Sequence, residues 1–585
     1  MSCRLKSAPA LLALAAVIAA CGRAPVPQTG VGLKPDGERW VAKTLAGMTL
    51  EEKIGQLISC RYTGAFFPRD SETRAALKSL IVDSKIGGLV IFLGEAYETA
   101  VLNNELQSWA KVPLLIGSDL ERGTGTQITG ATLYPTLMAV GASGSEEIAF
   151  QMGRATAEEG RALGVHMTYA PVVDVNVNPD NPIINTRAIG EDPALVARIA
   201  SAFVRGCQES GMLATAKHFP GHGDTDQDSH SFLPLIPASR ERLERVELFP
   251  YRALIQAGVR GVMVAHLAVP ALDPTPDLPS SLSPAILTGL LRNEMGFQGL
   301  IVTDAMEMGG VTNLFPPAEA ARRAILAGVD EVLLPLEPAQ VAAALVEDAR
   351  AGRLPLARVN ESVRRVLEAK ARVGLHLRKL VDVDALPAKL GTGERIREAR
   401  TAFEKAATLV KNEGGVLPLA PSGEKIAVFS LSSDLSDYFA GRAFVEAVRK
   451  RAPGALVAYA DANTGREALE EAFGRAAGAD VIVCAIFSSL RAGKGTVGLE
   501  ARHVDLIRTL AACGKAVVAV NFGSPYLLKQ FPEVGAYLCL YRNTAQAQDV
   551  AVRAVFGEID VTGRLPVSLP GLYPAGQGIV LSKIR

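Results

Sequence analysis

The chain has 585 residues, 48% hydrophobic and 21% charged, a composition that excludes a disordered protein and a length that exceeds what one hydrophobic core supports. Lys plus Arg and Asp plus Glu both total 61, so no charge excess points to nucleic acid or an anionic surface as partner. The expected partner is a small molecule without strong net charge.

Arg4 and Lys6 precede an apolar run over 8–20, and Ala19-Ala20-Cys21-Gly22 follows. A basic start, a short apolar stretch and small residues before a Cys have the pattern of an export signal, and this one resembles the lipobox of bacterial lipoproteins. The expectation is that residues 1–20 are removed, Cys21 is acylated, and the exported protein is held to a membrane through that lipid alone. The run is too short for a spanning helix, which needs ~20 apolar residues, and no later segment qualifies. Residues 21–38 read as a tether. The later cysteines, Cys60, Cys207, Cys484, Cys513 and Cys539, lack paired spacing and read as small buried hydrophobes.

Residues 39–376 alternate short apolar runs with helical patterns. Thr49-Leu50-Glu51-Glu52 is a capping-box start for a helix running through Ile54 and Leu57. Apolar runs follow near 57–60 and at 88–92, 113–116, 165–170, 212–216, 261–265, 300–302 and 331–334. They are apolar on both faces and separated by segments long enough for crossover helices, which predicts a (β/α)₈ TIM-like barrel. An open doubly wound sheet gives a similar pattern. The polar residues separate the two: Asp119 follows the third run, Asp174 the fourth, Lys217 and His218 the fifth, His266 the sixth and Asp304 the seventh. In a barrel those strand ends converge on one face, where the active site sits.

The fifth run opens into Lys217-His218-Phe219-Pro220-Gly221-His222-Gly223-Asp224-Thr225-Asp226-Gln227-Asp228-Ser229-His230, a loop crowded with ionisable groups. No Gly-rich stretch has phosphate-binding spacing, since Gly221-His222-Gly223 lacks a third Gly and Gly123-Thr124-Gly125 continues into no dinucleotide pattern, so no cofactor is expected. His218, His222, Asp226, Asp228 and His230 offer metal ligands, but no His pair has helical zincin spacing and Lys217 repels a cation. The reading is no metal. A carboxylate on a strand end opposite a proton donor on a loop is what glycoside hydrolysis requires. Asp304, on the rigid end of the seventh run, is the expected nucleophile. Asp228 and His230, two apart, point to the same side of an extended segment. An imidazole held by a carboxylate titrates near neutrality, so His230 is the expected general acid/base and Asp228 its orienter.

Residues 377–400 are charged and Pro-interrupted and read as a linker. Over 401–585, five apolar runs at 426–430, 455–459, 481–486, 516–521 and 536–541 predict a three-layer α/β/α sandwich. His503 reads as a core or surface residue there.

Lys217-His218-Phe219-Pro220-Gly221-His222-Gly223 with Asp228-Ser229-His230 resembles the signature of glycoside hydrolase family 3, in its β-N-acetylglucosaminidase branch. Met48-Thr49-Leu50-Glu51-Glu52-Lys53-Ile54-Gly55-Gln56, Ala170-Pro171-Val172-Val173-Asp174-Val175-Asn176, Arg187 before Gly190-Glu191-Asp192-Pro193, Gly299-Leu300-Ile301-Val302-Thr303-Asp304-Ala305-Met306 and Gly563-Arg564-Leu565-Pro566-Val567 carry the likeness along the chain. The resemblance implies a retaining, exo-acting β-N-acetylglucosaminidase that acts on peptidoglycan- or chitin-derived oligosaccharides through a covalent intermediate. It also implies that Asp119, Arg187, Lys217 and His218 hold the hydroxyl groups of the terminal sugar. A β-glucosidase or β-xylosidase and a phosphorylase are the alternatives within the family, and a non-catalytic glycan-binding lipoprotein is the alternative of another class. One departure stands out: the basic residue expected eight positions after Asp119 is Gln127, and Arg122 replaces it only if the loop is reshaped.

Overall fold

The apolar runs of the first half close into a ring. The computed structural model describes residues 32–420, 425–433, 440–488 and 498–584, so Cys21, the expected lipidation site, lies outside the described residues. Among them, parallel strands β1 (Ile58–Gly64), β2 (Gly88–Glu95), β3 (Leu115–Ser118), β4 (Met167–Thr168), β5 (Leu213–Phe219), β6 (Gly261–Val264), β7 (Leu300–Thr303) and β8 (Val332–Leu333) pair in the order β7-β6-β5-β4-β3-β2-β1-β8. A parallel bridge between Val302 and Glu331 joins β7 to β8 and completes the barrel.

Side-chain alternation sorts each strand between two layers. On β2, Leu89 and Ile91 pack outward under the helices, while Val90 joins Leu115, Met167, Leu213, Met263 and Leu300 inside the barrel. Val366 and Ala369, on helix Leu356–Arg372, close one end of that interior. Lys370 on the same helix donates to the Gly87 carbonyl at 2.8 Å, just before β2 begins, so the plugged end is the N-terminal one. The open mouth is therefore formed by the C-terminal strand ends.

Thr49 makes the capping box expected of it, yet its helix is only Leu50–Gly55 and Leu57 falls outside. The chain passes close there, since a Cβ on Gly55 would strike the Lys85 carbonyl. The cysteine reading also needs one correction. Cys60, Cys207, Cys484 and Cys539 are buried, but Cys513 is exposed at the end of helix Ala501–Ala512, its Sγ 3.1 Å from the Thr509 carbonyl.

The stretch 377–400 contains helix Leu386–Lys389 and the start of Gly393–Ala406, which packs on the barrel through Arg395 and Glu398. Beyond it, β9 (Thr408–Asn412), β10 (Ile426–Ser432), β11 (Leu456–Ala460), β12 (Val481–Phe487), β13 (Ala516–Asn521) and β14 (Ala536–Cys539) form a second sheet in the order β9-β14-β13-β12-β10-β11. Strand β9 is the addition to the five predicted. It runs antiparallel along β14, whereas the others are parallel to one another. Separate apolar clusters cover the two faces of this sheet, giving the three-layer sandwich.

The domains share one of those clusters. Met138, Ala139 and Ala142, on barrel helix Leu137–Ser143, are buried with Leu565 and Val567 of the second domain. Polar contacts extend the junction: Glu191 accepts from the backbone N–H (2.7 Å) and hydroxyl (2.5 Å) of Ser568, and Asn176 donates to the Tyr526 hydroxyl at 2.8 Å. Ala139→Asp, at a position with no exposed surface, should bury an unpaired carboxylate at a cost of about 3–5 kcal/mol. Differential scanning calorimetry should show one cooperative transition in the wild type separating into two in the variant. An unsplit, unshifted transition would show that the domains do not stabilise one another here.

Candidate active site

The open mouth of the barrel is lined with charge. Where β5 meets β6, pairing runs Ala216 to Val262 and then Phe219 to Val264, so β5 carries one extra residue. This bulge falls on Lys217 and His218 and re-aims both at the mouth. Lys217, only 2% exposed, donates to Asp119 Oδ1 at 2.5 Å and lies 2.7 Å from Glu121 Oε1. Arg187, in the turn Asn185–Arg187, grips the same Glu121 with two hydrogen bonds, Nε to Oε2 at 3.1 Å and Nη2 to Oε1 at 2.8 Å. Burial pushes the Glu121 carboxyl up, but Arg187 and Lys217 outweigh it and hold the group well below the usual range. Burial pushes Lys217 down, and Asp119 and Glu121 more than reverse that. Glu121, Arg187 and Lys217 are therefore held in their ionised forms.

A second buried carboxylate supports the loop after β5. Asp174 has no exposed surface and accepts from His218 Nδ1 at 2.7 Å and from the His222 N–H at 2.7 Å. His222 Nε2 lies 2.8 Å from Ser229 Oγ and its Nδ1 3.0 Å from Thr225 Oγ1, which ties the loop's first half to its second. Burial drives His222 down to about 4, followed by the charge of His218, so it stays neutral. Gly223 is required by close approach, since a Cβ there would overlap the Val175 carbonyl.

The loop ends beside β7. Gly309 donates its N–H to the His230 carbonyl at 2.9 Å and Gly310 donates to the Ser229 carbonyl at 3.3 Å, so the segment just past Asp304 fixes the backbone of His230. His230 Nδ1 is 2.7 Å from Asp228 Oδ1, which also accepts the His230 N–H at 2.9 Å. The ring is 44% exposed. Its hydrogen bond to Asp228 raises its pKa above the usual imidazole value; burial opposes that, and the Asp228 and Asp304 charges reinforce it. Asp304 Oδ1 accepts from the Ala305 N–H at 2.8 Å. Burial pushes Asp304 up, yet the nearby charges of His218 and His266, that hydrogen bond and Lys217 bring it to about 2.

One cavity of about 370 Å³ is bordered by Asp119, Arg187, Lys217, His218, His230 and Asp304. Six of the seven candidate residues thus meet on it, with Asp228 directly behind His230. The strand-end reading of Asp174 and His266 does not extend to the cavity. Asp174 lies beneath it, and His266 is buried with Nδ1 2.7 Å from Ser281 Oγ and Nε2 3.1 Å from the Ala305 carbonyl. Gln127 borders the cavity, its Oε1 accepting from Leu93 N–H at 3.2 Å, and Arg122 reaches it as well. Reading the sequence missed Arg542, from the second domain, which also lines this cavity. Its signal was available, because Arg542 directly follows the apolar run of β14. Among the described residues, no group of three or more His, Cys, Asp or Glu is placed to hold a metal ion.

A parallel barrel whose open mouth carries an ionised carboxylate near an imidazole–carboxylate pair, ringed by further charged side chains, defines the glycoside hydrolase class. Comparison with known proteins gives the family. The model for "Glycosyl hydrolase family 3 N terminal domain" matches residues 49–369 and that for "Glycosyl hydrolase family 3 C-terminal domain" matches 407–574. The chain belongs to glycoside hydrolase family 3. It is 35% identical to a beta-N-acetylglucosaminidase/beta-glucosidase of Cellulomonas fimi, over 66% of this chain and 69% of that protein. A beta-hexosaminidase A of Pseudoalteromonas piscicida is 33% identical over 65% of this chain and 70% of its own. The solved family 3 beta-N-acetylglucosaminidase from Paenibacillus sp. str. FPU-7 superposes with a TM-score of 0.79 at 32% identity, covering 89% of this chain and 99% of that one. A beta-glucoside phosphorylase, BglX, superposes with a TM-score of 0.82 at 28% identity, covering 92% and 97%.

Proposed function

We propose that this chain is an exo-acting, retaining β-N-acetylglucosaminidase releasing terminal β-linked N-acetylglucosamine from peptidoglycan- or chitin-derived oligosaccharides. The observation that carries the reading is Asp304, held at about 2, on the same cavity as the Asp228-bound ring of His230. Asp304 attacks the anomeric carbon and forms a glycosyl ester while His230 gives its proton to the departing oxygen. The now neutral His230 takes a proton from water, whose oxygen displaces the Asp304 carboxylate and restores both groups. Lys217, Arg187, Asp119 and His218 offer charged hydrogen bonds to the sugar hydroxyls, which tighten as the ring distorts. A cavity of about 370 Å³ has the size of a small-molecule site and takes a terminal sugar. The names of the Cellulomonas fimi and Paenibacillus relatives support the N-acetylglucosaminide.

The p-nitrophenyl N-acetyl-β-glucosaminide should be cleaved and the β-glucoside much more slowly, with free N-acetylglucosamine as product in phosphate-free buffer. Asp304→Ala should abolish turnover, while His230→Ala should spare the activated p-nitrophenyl leaving group and cost about 10²–10⁴-fold on chitobiose. Equal losses on both substrates would remove the acid role from His230.

For kcat/KM, Asp304 must be ionised and His230 protonated. The first condition holds from about pH 2 upward. The second fails as pH rises through the pKa of His230, which Asp228 raises. Asp228→Asn removes that support, so the alkaline limb of the profile should move to lower pH. An unmoved limb would assign it to another group.

We also propose that the enzyme works outside the cytoplasm, anchored through Cys21, a reading supported by the pattern over 1–22. Mass spectrometry of the mature protein should find an acylated N-terminal Cys21. A mature chain starting elsewhere overturns the anchor.

A further inference from the structure

We propose that Arg122 and Arg542 form an oxyanion subsite on the sugar cavity, built jointly by the two domains, that takes the carboxylate of an acidic sugar or an inorganic phosphate. The inference deepens the proposed function and rests on it for the identity of the sugar.

Charge around the cavity is unevenly balanced. Arg187 and Lys217 are answered by Glu121 and Asp119, and Arg61 by Glu307 at 2.5 Å. Arg122 and Arg542 border the same cavity, yet neither guanidinium makes an ion pair or hydrogen bond with any described residue. Glu121 is an anion whose charge both feel, but its two oxygens are already engaged by Arg187 and Lys217. Burial, then the charge of Arg542, pushes Arg122 down to about 9. Two like charges are thus withdrawn from water toward each other without a counter-ion, an arrangement whose cost a shared anion removes.

Both are mounted on fixed backbone. Arg122 donates its N–H to Thr126 Oγ1 at 3.1 Å, and its carbonyl accepts from Tyr134 N–H at 2.9 Å. Arg542 follows Tyr541, which is buried in the left-handed region (φ 64°) with its hydroxyl on Thr408 Oγ1 at 2.8 Å. Two guanidinium forks on rigid supports match the planar oxygens of a carboxylate or three oxygens of a phosphate, whereas neutral hydroxyls return little to an unpaired cation. The chemistry selected is an oxyanion. Its source is either the substrate itself, as the acidic side chain of a neighbouring sugar, or free phosphate.

Binding is read first, without turnover. Sodium sulfate at low millimolar concentration, where its general stabilising effect is small, should raise the Tm of the wild type above that in sodium chloride of equal ionic strength, and R122Q/R542Q should lose that difference while R122K/R542K keeps only part of it. The carboxylate arm compares the disaccharide N-acetylglucosaminyl-N-acetylmuramic acid with its methyl ester. Wild type should prefer the free acid by about tenfold or more in kcat/KM, and R122Q and R542Q should reduce that ratio. The phosphate arm measures glycosyl phosphate formed from chitobiose in phosphate buffer, and its loss in the same variants assigns the subsite to phosphate. No sulfate-specific rise in Tm, with the p-nitrophenyl N-acetylglucosaminide still cleaved, overturns the subsite and leaves the proposed function standing. A sulfate-specific rise that the Arg variants abolish, with no N-acetylglucosaminide cleaved, supports the oxyanion site and overturns the sugar assignment.

Discussion

The site depends on one mostly buried carboxylate shared by two cations. Glu121 lies between Arg187, which reaches it from a turn, and Lys217, which reaches it from the bulge of β5. Without Glu121, Lys217 at 2% exposure would sit charged with only Asp119 as partner, an expensive arrangement away from water. With it, the cations assigned to the sugar hydroxyls are ordered before any sugar arrives. Preorganisation of this kind is what lets a site bind a distorted ring better than a relaxed one.

The groups proposed for chemistry are mounted differently, and the difference follows from their tasks. Asp304 directly follows β7, whose backbone pairs with β6 and bridges to Glu331 beside β8, which fixes a nucleophile that must approach one carbon along one line. His230 is carried by a loop, because the proton it transfers must follow an oxygen that departs and is replaced by water. That loop is nonetheless pinned at three places: Asp174 under His222, Ser229 against His222, and Gly309 against the His230 carbonyl. The result is a half-exposed imidazole with a fixed partner on Nδ1, which leaves Nε2 for the reacting oxygen.

The barrel was legible because parallel strands buried on both faces leave continuous apolar runs, and its ring closure brings their polar ends together. That rule found Asp119, Lys217, His218 and Asp304. It did not separate these from Asp174 and His266, because whether a strand-end group faces the cavity or turns under it depends on loop packing that no local pattern encodes. The edge strand β9 was missed for a similar reason. Thr408-Leu409-Val410-Lys411-Asn412 follows directly on a helix with no turn signal, and its strand identity comes from pairing with β14 far along the chain. The loop over 121–127 was unreadable in detail, since its course depends on Gly123 (φ 83°) and on a backbone hydrogen bond from Gly125 to Thr132 at 3.0 Å.

The second domain follows the same strand-end logic as the first. Tyr526 follows β13 and hydrogen-bonds Asn176, beyond β4 of the barrel, while Arg542 follows β14 and borders the cavity. The carboxyl ends of the barrel strands and those of β13 and β14 therefore face each other across one space. Ligands in open α/β sheets gather at the carboxyl ends of strands, as they do in barrels, so neither half needs a special device to contribute. What makes the pairing work is the apolar seam of Met138, Ala139 and Ala142, which fixes how far apart the two mouths sit. The shape of the shared cavity is therefore set by a surface that contains none of its charged groups.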